Sequence, residues 1–197
     1  MKNMKKTLWI LLVTVAVLAV PGCTNQQGET EASVFITVDI VLQPGFVDIA
    51  VVAPVQIQTM VLTSHLKNPA QSDPQGFSDT LCESYLVHYH RTDGGTRVPG
   101  DKTFGCGVRI PSSGASTLSN FPILAASDIQ AAPFDQLLAF NGGVDRETGK
   151  AEIDMAFDIT FFGHTVAGQR VQSSTATGLL AFTNSTVTPL RHRTSVR

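Results

Sequence analysis

The sequence predicts an all-β fold, an antiparallel β-sandwich of about seven strands that follows a cleaved signal peptide. Short segments rich in β-branched and aromatic residues recur along the chain, and residues 152–162 alternate between apolar and polar positions. Gly, Pro, Asn and Asp separate these segments at intervals of about 8–20 residues. Almost no stretch has helical periodicity, which is typical of a sandwich, and a β-barrel is the alternative.

The first 22 residues have the three parts of a secretory signal. Lys2, Lys5 and Lys6 supply a positive start, and residues 7–20 form an apolar core. As a helix this core would span roughly 21 Å, which is short of the ~30 Å hydrocarbon core of a bilayer. Its length and flanks therefore predict a removed signal rather than a membrane-spanning helix.

The stretch VPGC resembles a bacterial lipobox, with an aliphatic residue at Val20, a small residue at Gly22 and the cysteine at Cys23. The resemblance implies cleavage before Cys23 by signal peptidase II and lipidation of Cys23 with a diacylglycerol thioether and an amide-linked acyl chain. Each buried methylene contributes ~0.8 kcal/mol, so several chains hold a protein firmly on a membrane. The alternative is an ordinary secretory signal with a stray cysteine.

The chain that remains after cleavage is acidic and has the length of one domain. It keeps 11 Lys and Arg against 16 Asp and Glu, so the net charge changes from −2 to −5. This balance argues against nucleic acid as a partner. We expect an acylated cysteine and flexible tether over residues 23–32, a β-sandwich domain over 33–186 and a disordered tail over 187–197.

The strand signals fall within the expected domain. The predicted strands are residues 33–42, 55–66, 81–91, 102–111, 118–126, 152–162 and 174–182. A strand break is expected at Pro122, and a short helical piece is expected near residues 133–138. Alternation in the third strand places Tyr85, Val87 and Tyr89 on one face. The residues predicted on its other face are Cys82, Ser84, Leu86, His88 and His90.

Cys82 and Cys106 are the cysteines that remain once Cys23 is acylated. An even count in an exported protein suggests one disulfide. The turn sequence TDGG lies between them, and a hairpin centred near Gly94 would bring the two cysteines opposite each other. The bond would contribute on the order of 3 kcal/mol in the chain-entropy model. A two-cysteine metal site is the alternative, although no Cys or His lies at a supporting spacing.

The sequence lacks one hallmark of antibody-type domains, because its only Trp is Trp9 in the signal. The segments SYLVHYHRTDGG, ITFFGHTVAGQRV and GLLAF are similar to a pattern in uncharacterised bacterial lipoproteins with a single immunoglobulin-like domain. In that pattern a Y-x-V-x-Y-x-R-x-D-G hairpin precedes an F-x-G-x-x-x-x-G hairpin. The resemblance implies a fibronectin III-like or other immunoglobulin-like sandwich, and it implies no activity.

His88 and His90 are candidate metal ligands. Residues i and i+2 of a strand point the same way, roughly 6–7 Å apart. Two imidazoles so placed can bind Cu²⁺ or Zn²⁺ if a third ligand joins them, and His65 or His164 could supply it. The alternative is a pair of histidines on the polar face of an exposed strand.

Three acidic residues form a second candidate site. Glu152, Asp154 and Asp158 share one face of a predicted strand, and carboxylate oxygens are ligands that Ca²⁺ prefers. The alternative is a solvated face whose charges discourage edge-to-edge aggregation.

No hydrolase, nucleotide-binding or zinc-protease motif is present, and we predict neither enzymatic activity nor a cofactor. The sequence favours a membrane-anchored lipoprotein that presents its β-sandwich to a protein or glycan partner in the cell envelope. The partner class is open, and an extracytoplasmic Cu/Zn-binding protein that uses His88 and His90 is the alternative. Thr24 follows the lipobox cysteine, where Asp would favour inner-membrane retention in enteric bacteria. An outer-membrane location, on the periplasmic or surface side, is therefore expected.

Overall fold

The computed structural model describes residues 32–186. The predictions for the signal peptide, for lipidation of Cys23, for the tether up to residue 31 and for the tail at 187–197 lie outside the described residues.

Nine strands account for most of the described chain. They are β1 (Val34–Leu42), β2 (Phe46–Asp48), β3 (Val55–Leu66), β4 (Thr80–Arg91), β5 (Lys102–Ile110), β6 (Ala115–Leu124), β7 (Glu152–Thr165), β8 (Arg170–Gln172) and β9 (Ala176–Thr183). One helical turn, α1 (Ala126–Ile129), and two 3₁₀ turns, Phe134–Leu137 and Ala139–Asn141, lie between β6 and β7. The short helical piece expected near 133–138 is thus a 3₁₀ turn. The predicted all-β class is confirmed, with β2 and β8 as additional short strands.

The strands form two sheets. One has the order β1-β3-β6, and the other has the order β2-β9-β7-β4-β5 with β8 also paired to β7. Every pair of strands is antiparallel except β2 and β9, which run parallel. The predicted break at Pro122 does not interrupt β6. Within the described chain β6 is an edge strand, which is where a residue without an N–H is tolerated.

The two sheets bury a common core. The predicted alternation of β7 is confirmed, because its five inward side chains are each at most 3% exposed. These residues are Ile153, Met155, Phe157, Ile159 and Phe161. Two tyrosines of β4 reach across to the other sheet, where the Tyr85 hydroxyl donates to the Pro122 carbonyl at 2.5 Å and Tyr89 donates to Ile123. These bonds pair polar atoms that the core would otherwise leave unsatisfied.

Cys82 and Cys106 lie at disulfide distance, with Cα atoms 5.7 Å apart. The predicted face of Cys82 is wrong, because its side chain is buried on the core side with Tyr85. The registers of β4 with β5 and with β7 both shift between Cys82 and Ser84. Against β7 the irregularity is a β-bulge at Glu83, and one inserted residue reverses the face of every residue beyond it. Against β5 the extra residue lies on β5, where Cys106 and Gly107 are opposite Glu83.

Candidate functional site

An open cleft of about 440 Å³ lies beside the short strand β2. Its apolar lining includes Pro44, Phe46, Val51 and Pro54, and its polar lining includes Asp48, Gln56, Gln58 and Asn120. The volume is within the range of small-ligand and peptide-side-chain pockets. The cleft is therefore large enough to hold a small ligand or a side chain of a partner.

Large apolar side chains are exposed around this cleft. Phe46 is 75% exposed and Val51 is 58% exposed, and both line the cleft. Val41, Leu42 and Val52, on the same 12-residue stretch of chain, are also more than half exposed. A local concentration of exposed apolar residues is a common mark of an interaction surface, whereas single exposed residues are ordinary.

The local sequence explains why the cleft forms here. Pro44 and Gly45 follow β1, and the Gly45 carbonyl accepts a hydrogen bond from the Ala181 N–H of β9. The chain thereby leaves the three-stranded sheet and joins the other sheet as β2. Residues 49–54 then return to β3 through a turn in which the Val51 N–H donates to the Asp48 carbonyl at 3.1 Å.

Among the described residues that line the cleft, Asp48 alone is charged. Its carboxylate accepts hydrogen bonds from the Ser185 hydroxyl and from the Ala50 N–H, the latter at 3.0 Å. These bonds, led by that of Ser185, lower the pKa of Asp48 against a smaller opposing effect of burial. The cleft therefore carries a fixed negative charge at neutral pH.

The cleft lies at the far end of β1 from residue 32, where the described chain begins. At that first end Ser33 contacts Ser78 and Gln169, and its carbonyl accepts from the Lys67 N–H. The nine residues of β1 separate this end from Pro44 by roughly 30 Å. Within the described residues, the cleft and Ser33 thus lie at opposite ends of β1.

His88 and His90 point to the same outer face of the larger sheet, as their spacing predicts, with ring centroids 6.5 Å apart. Each imidazole lies near a different carboxylate. His88 Nδ1 is 2.7 Å from Asp101 Oδ1, and His90 Nδ1 is 3.7 Å from Asp158 Oδ2. The two rings could contact one cation. The two carboxylates do not form a common site with them, because Asp101 is beside His88 and Asp158 is beside His90.

The predicted third ligands are elsewhere. His65 belongs to the smaller sheet and stacks on Phe35 at a centroid distance of 4.8 Å. His164 lies six residues along β7 from Asp158, the residue opposite His88, and its Nδ1 is 3.3 Å from Glu83. Among residues 32–186, no group of three His, Cys, Asp or Glu side chains is arranged to hold a metal ion.

The three predicted carboxylates of β7 do not converge. Glu152 and Asp154 interact with each other, and the pKa of Glu152 is raised mainly because its protonated carboxyl can donate a hydrogen bond to Asp154. Asp158 instead accepts a hydrogen bond from Thr177 at 2.5 Å and lies beside His90. Glu152 and Asp154 therefore form one pair, and Asp158 has other partners, so the three carboxylates do not form a common site.

Sequence reasoning missed the cleft. Its signal was the run of residues 50–54, AVVAP, which follows a Pro-Gly turn and contains no polar side chain. Such a run usually predicts a buried segment, whereas all five of these residues are exposed.

Sequence reasoning also missed a buried ionic cluster that contains Arg91, Asp93 and Asp145. Asp93 is the acidic residue of the turn sequence TDGG. The three side chains are each at most 1% exposed and are paired with one another, as expected of a structural cluster.

Within residues 32–186 no helix has the length and apolar character needed to cross a bilayer. A scan against protein-family models finds no match for this chain, and a search of curated proteins finds none.

Proposed function

We propose that this protein is a membrane-anchored extracytoplasmic lipoprotein whose β-sandwich is a non-enzymatic interaction module. The observation that carries the proposal is the apolar cleft beside β2, with Phe46 and Val51 exposed at the end of the domain opposite residue 32. A binding surface so placed lies at the opposite end of β1 from Ser33. Its partner is a protein or glycan of the cell envelope, and the acylated Cys23 supplies the attachment to membrane lipid.

The finer fold assignment is part of the same proposal. Seven main strands divide into three (β1, β3 and β6) and four (β9, β7, β4 and β5), with antiparallel neighbours in both sheets. This division supports an immunoglobulin-like sandwich, a class that includes fibronectin III domains. Such domains commonly bind through edges and loops, so the fold suits the proposed role without specifying a partner.

Anchoring and reach follow from chain length. Residues 24–32, the tether, supply nine residues between Cys23 and the start of the domain at Ser33, and when extended they span at most about 30 Å. Two or three acyl chains hold Cys23 in a leaflet, and the tether lets the domain turn toward its partner. We place the protein at the outer membrane because Thr24, rather than Asp, follows the cysteine.

The anchor is tested with Cys23→Ala. We expect the wild-type chain to incorporate labelled palmitate and to fractionate with membranes, and the variant to do neither. An unlabelled wild-type chain would remove the lipoprotein assignment.

The cleft is tested by photo-crosslinking in the native envelope. A photoreactive phenylalanine replaces Phe46 in one variant, and it replaces Val166 in the control. Val166 is 45% exposed and lies in the turn after β7, and its N–H donates a hydrogen bond to the Asp79 carbonyl. We expect a discrete adduct from position 46 only. Equal adducts from both positions, or none from position 46, would contradict binding at the cleft.

A further inference from the structure

The strand switch that forms the cleft also leaves part of a sheet edge open. β1 pairs with β3 from Val34 opposite Leu66 to Leu42 opposite Thr59. Beyond Leu42 the chain turns away to become β2, while β3 continues back to Val55. Across the described residues, no strand pairs with β3 over residues 55–58 on the side that β1 occupies farther along.

The cleft adjoins the place that β1 would occupy if it continued. Gln56 and Gln58 line the cleft from β3, and Phe46 and Asp48 line it from β2. The cleft therefore adjoins the stretch of β3 whose backbone has no strand partner on the β1 side. An open backbone edge of this kind is a template for another strand.

The lining specifies which side chains an added strand should carry. Phe46, Val51 and Pro54 offer apolar contact, and successive side chains of an extended peptide alternate in direction, so every second one can reach them. The Asp48 carboxylate is the one charge that residues 32–186 contribute to the lining, and the chain after the proposed cleavage has a net charge of −5. A positively charged side chain is the electrostatic complement of both.

We propose that the cleft binds an extended peptide segment of a partner protein, which adds a strand to β3 at residues 55–58. The segment places an apolar side chain against Phe46 and a Lys or Arg beside Asp48. This inference rests on the proposed function and names its partner class as a protein rather than a glycan. Backbone hydrogen bonds give the contact its direction, and the apolar and charged groups select the sequence.

The probe is a library of random 12-residue peptides, selected on the full chain from residue 23 to 197 in detergent micelles. We expect enriched peptides that combine alternating apolar residues with Lys or Arg. Val51→Gln should weaken their binding about tenfold or more, since it replaces an apolar contact with a polar side chain and leaves the charge of the lining unchanged. Val166→Gln, at an exposed position outside the cleft lining, should leave binding unchanged. Failure to enrich any peptide with this dependence would overturn the proposal.

Backbone methylation then distinguishes strand addition from simple apolar docking. Each amide of one enriched peptide is N-methylated in turn. We expect losses of about tenfold at alternate positions, the equivalent of one hydrogen bond, and little change at the positions between. Binding that tolerates methylation at every position would reject strand addition. A Phe46 adduct in the envelope would in that case still support the cleft as an interaction site.

A final arm identifies competing occupants of the cleft. The same peptides are titrated into the chain with and without residues 187–197. Equal affinities are expected. Binding that appears only after truncation would show that the chain's own terminal segment occupies the cleft, and binding to glycan arrays that depends on Val51 would favour a glycan. Either result would overturn the peptide proposal.

Discussion

Arg91 and Asp145, 54 residues apart in sequence, form an ion pair in the interior, with Nη2 2.7 Å from Oδ2 and side chains only 1% and 0% exposed. The same guanidinium donates two bonds to Asp93, at 2.8 and 2.7 Å. Asp145 also accepts from Gln136 and Thr148. Buried charges are costly when a partner is removed, so each member of this cluster depends on the others.

Replacing Arg91 should therefore destabilise the domain strongly. Arg91→Ala leaves two buried carboxylates without their counter-ion, and we expect a loss of about 3–5 kcal/mol in the free energy of unfolding. Arg97→Ala is the matched control, because the Arg97 side chain is 62% exposed and its ion pair with Glu147 is long, at 4.0 Å. Its effect should be below about 1 kcal/mol. Urea unfolding measures both, and similar losses in the two variants would refute a structural role for the cluster.

The cluster should also make the domain sensitive to acid. Burial opposes ionisation of Asp93, but hydrogen bonds from Arg91, Gly95 and Asp154 outweigh it and lower its pKa from 3.8 to about 2. Because the pKa of Asp93 is lower in the folded than in the unfolded chain, its ionisation adds to the free energy of unfolding above the unfolded-state pKa. That stability, about 2 kcal/mol, is lost as the pH falls from about 4 toward 2.

The acid effect of Asp93 is isolated by comparing wild-type protein with Asp93→Asn. The free energy of unfolding is measured at pH 6 and pH 2.5. Other carboxylates with lowered pKa values, Asp79 and Asp145 among them, should reduce the stability of both proteins. We expect the drop to be smaller in the variant by about 1–2 kcal/mol. Parallel losses would show that Asp93 does not contribute.

Local patterns in the sequence predicted the strands that are regular. The alternation in residues 152–162 is a property of neighbouring residues, and β7 follows it with each inward side chain buried. The pairing of Cys82 with Cys106 was also within reach, since the spacing around a glycine turn brings them together. The bulge at Glu83 was not, because an inserted residue leaves no mark in composition.

The cleft could not be predicted from local sequence patterns either. The cleft exists because the chain changes sheets at Pro44 and pairs with β9, more than 130 residues later. Arg91 likewise meets Asp145 only in the folded chain. Such contacts depend on which distant segments pair, and the alternation and turn residues of one segment do not identify its distant partner.

Gly163 should be intolerant of any side chain. It lies opposite Cys82 in the β4–β7 ladder, beside the bulge. A Cβ at this position would overlap the Leu81 carbonyl, which is backbone and cannot rotate away. Gly163→Ala should cost about 1–3 kcal/mol or more, whereas Gly105→Ala on β5, where a Cβ meets no atom within 4 Å, should cost little. Thermal unfolding of both variants tests this. A Gly163→Ala protein as stable as Gly105→Ala would show that β4 and β7 can move apart at this position without loss of stability.

The cysteine pair should stabilise the folded chain. Cys82 and Cys106 are 24 residues apart, so their bond restricts the unfolded chain by about 3 kcal/mol in the loop-entropy model. Cys82→Ala with Cys106→Ala should lower the unfolding midpoint, and a reductant should no longer affect the double variant. Cys23→Ala keeps the pair and should unfold as the wild type does. A wild-type protein whose midpoint ignores reductant would mean that the bond does not form.

Metal binding at His88 and His90 should be weak. Two imidazoles with centroids 6.5 Å apart can share a cation, but across the described chain no third ligand is arranged to complete the site. Titration of Zn²⁺ or Cu²⁺ should give micromolar or weaker affinity that disappears in His88→Ala with His90→Ala. His65→Ala is the matched control and should leave that affinity unchanged, since its ring stacks on Phe35 in the other sheet. Binding far tighter than micromolar that is lost with His88 would instead establish the metal-binding function as the stronger alternative.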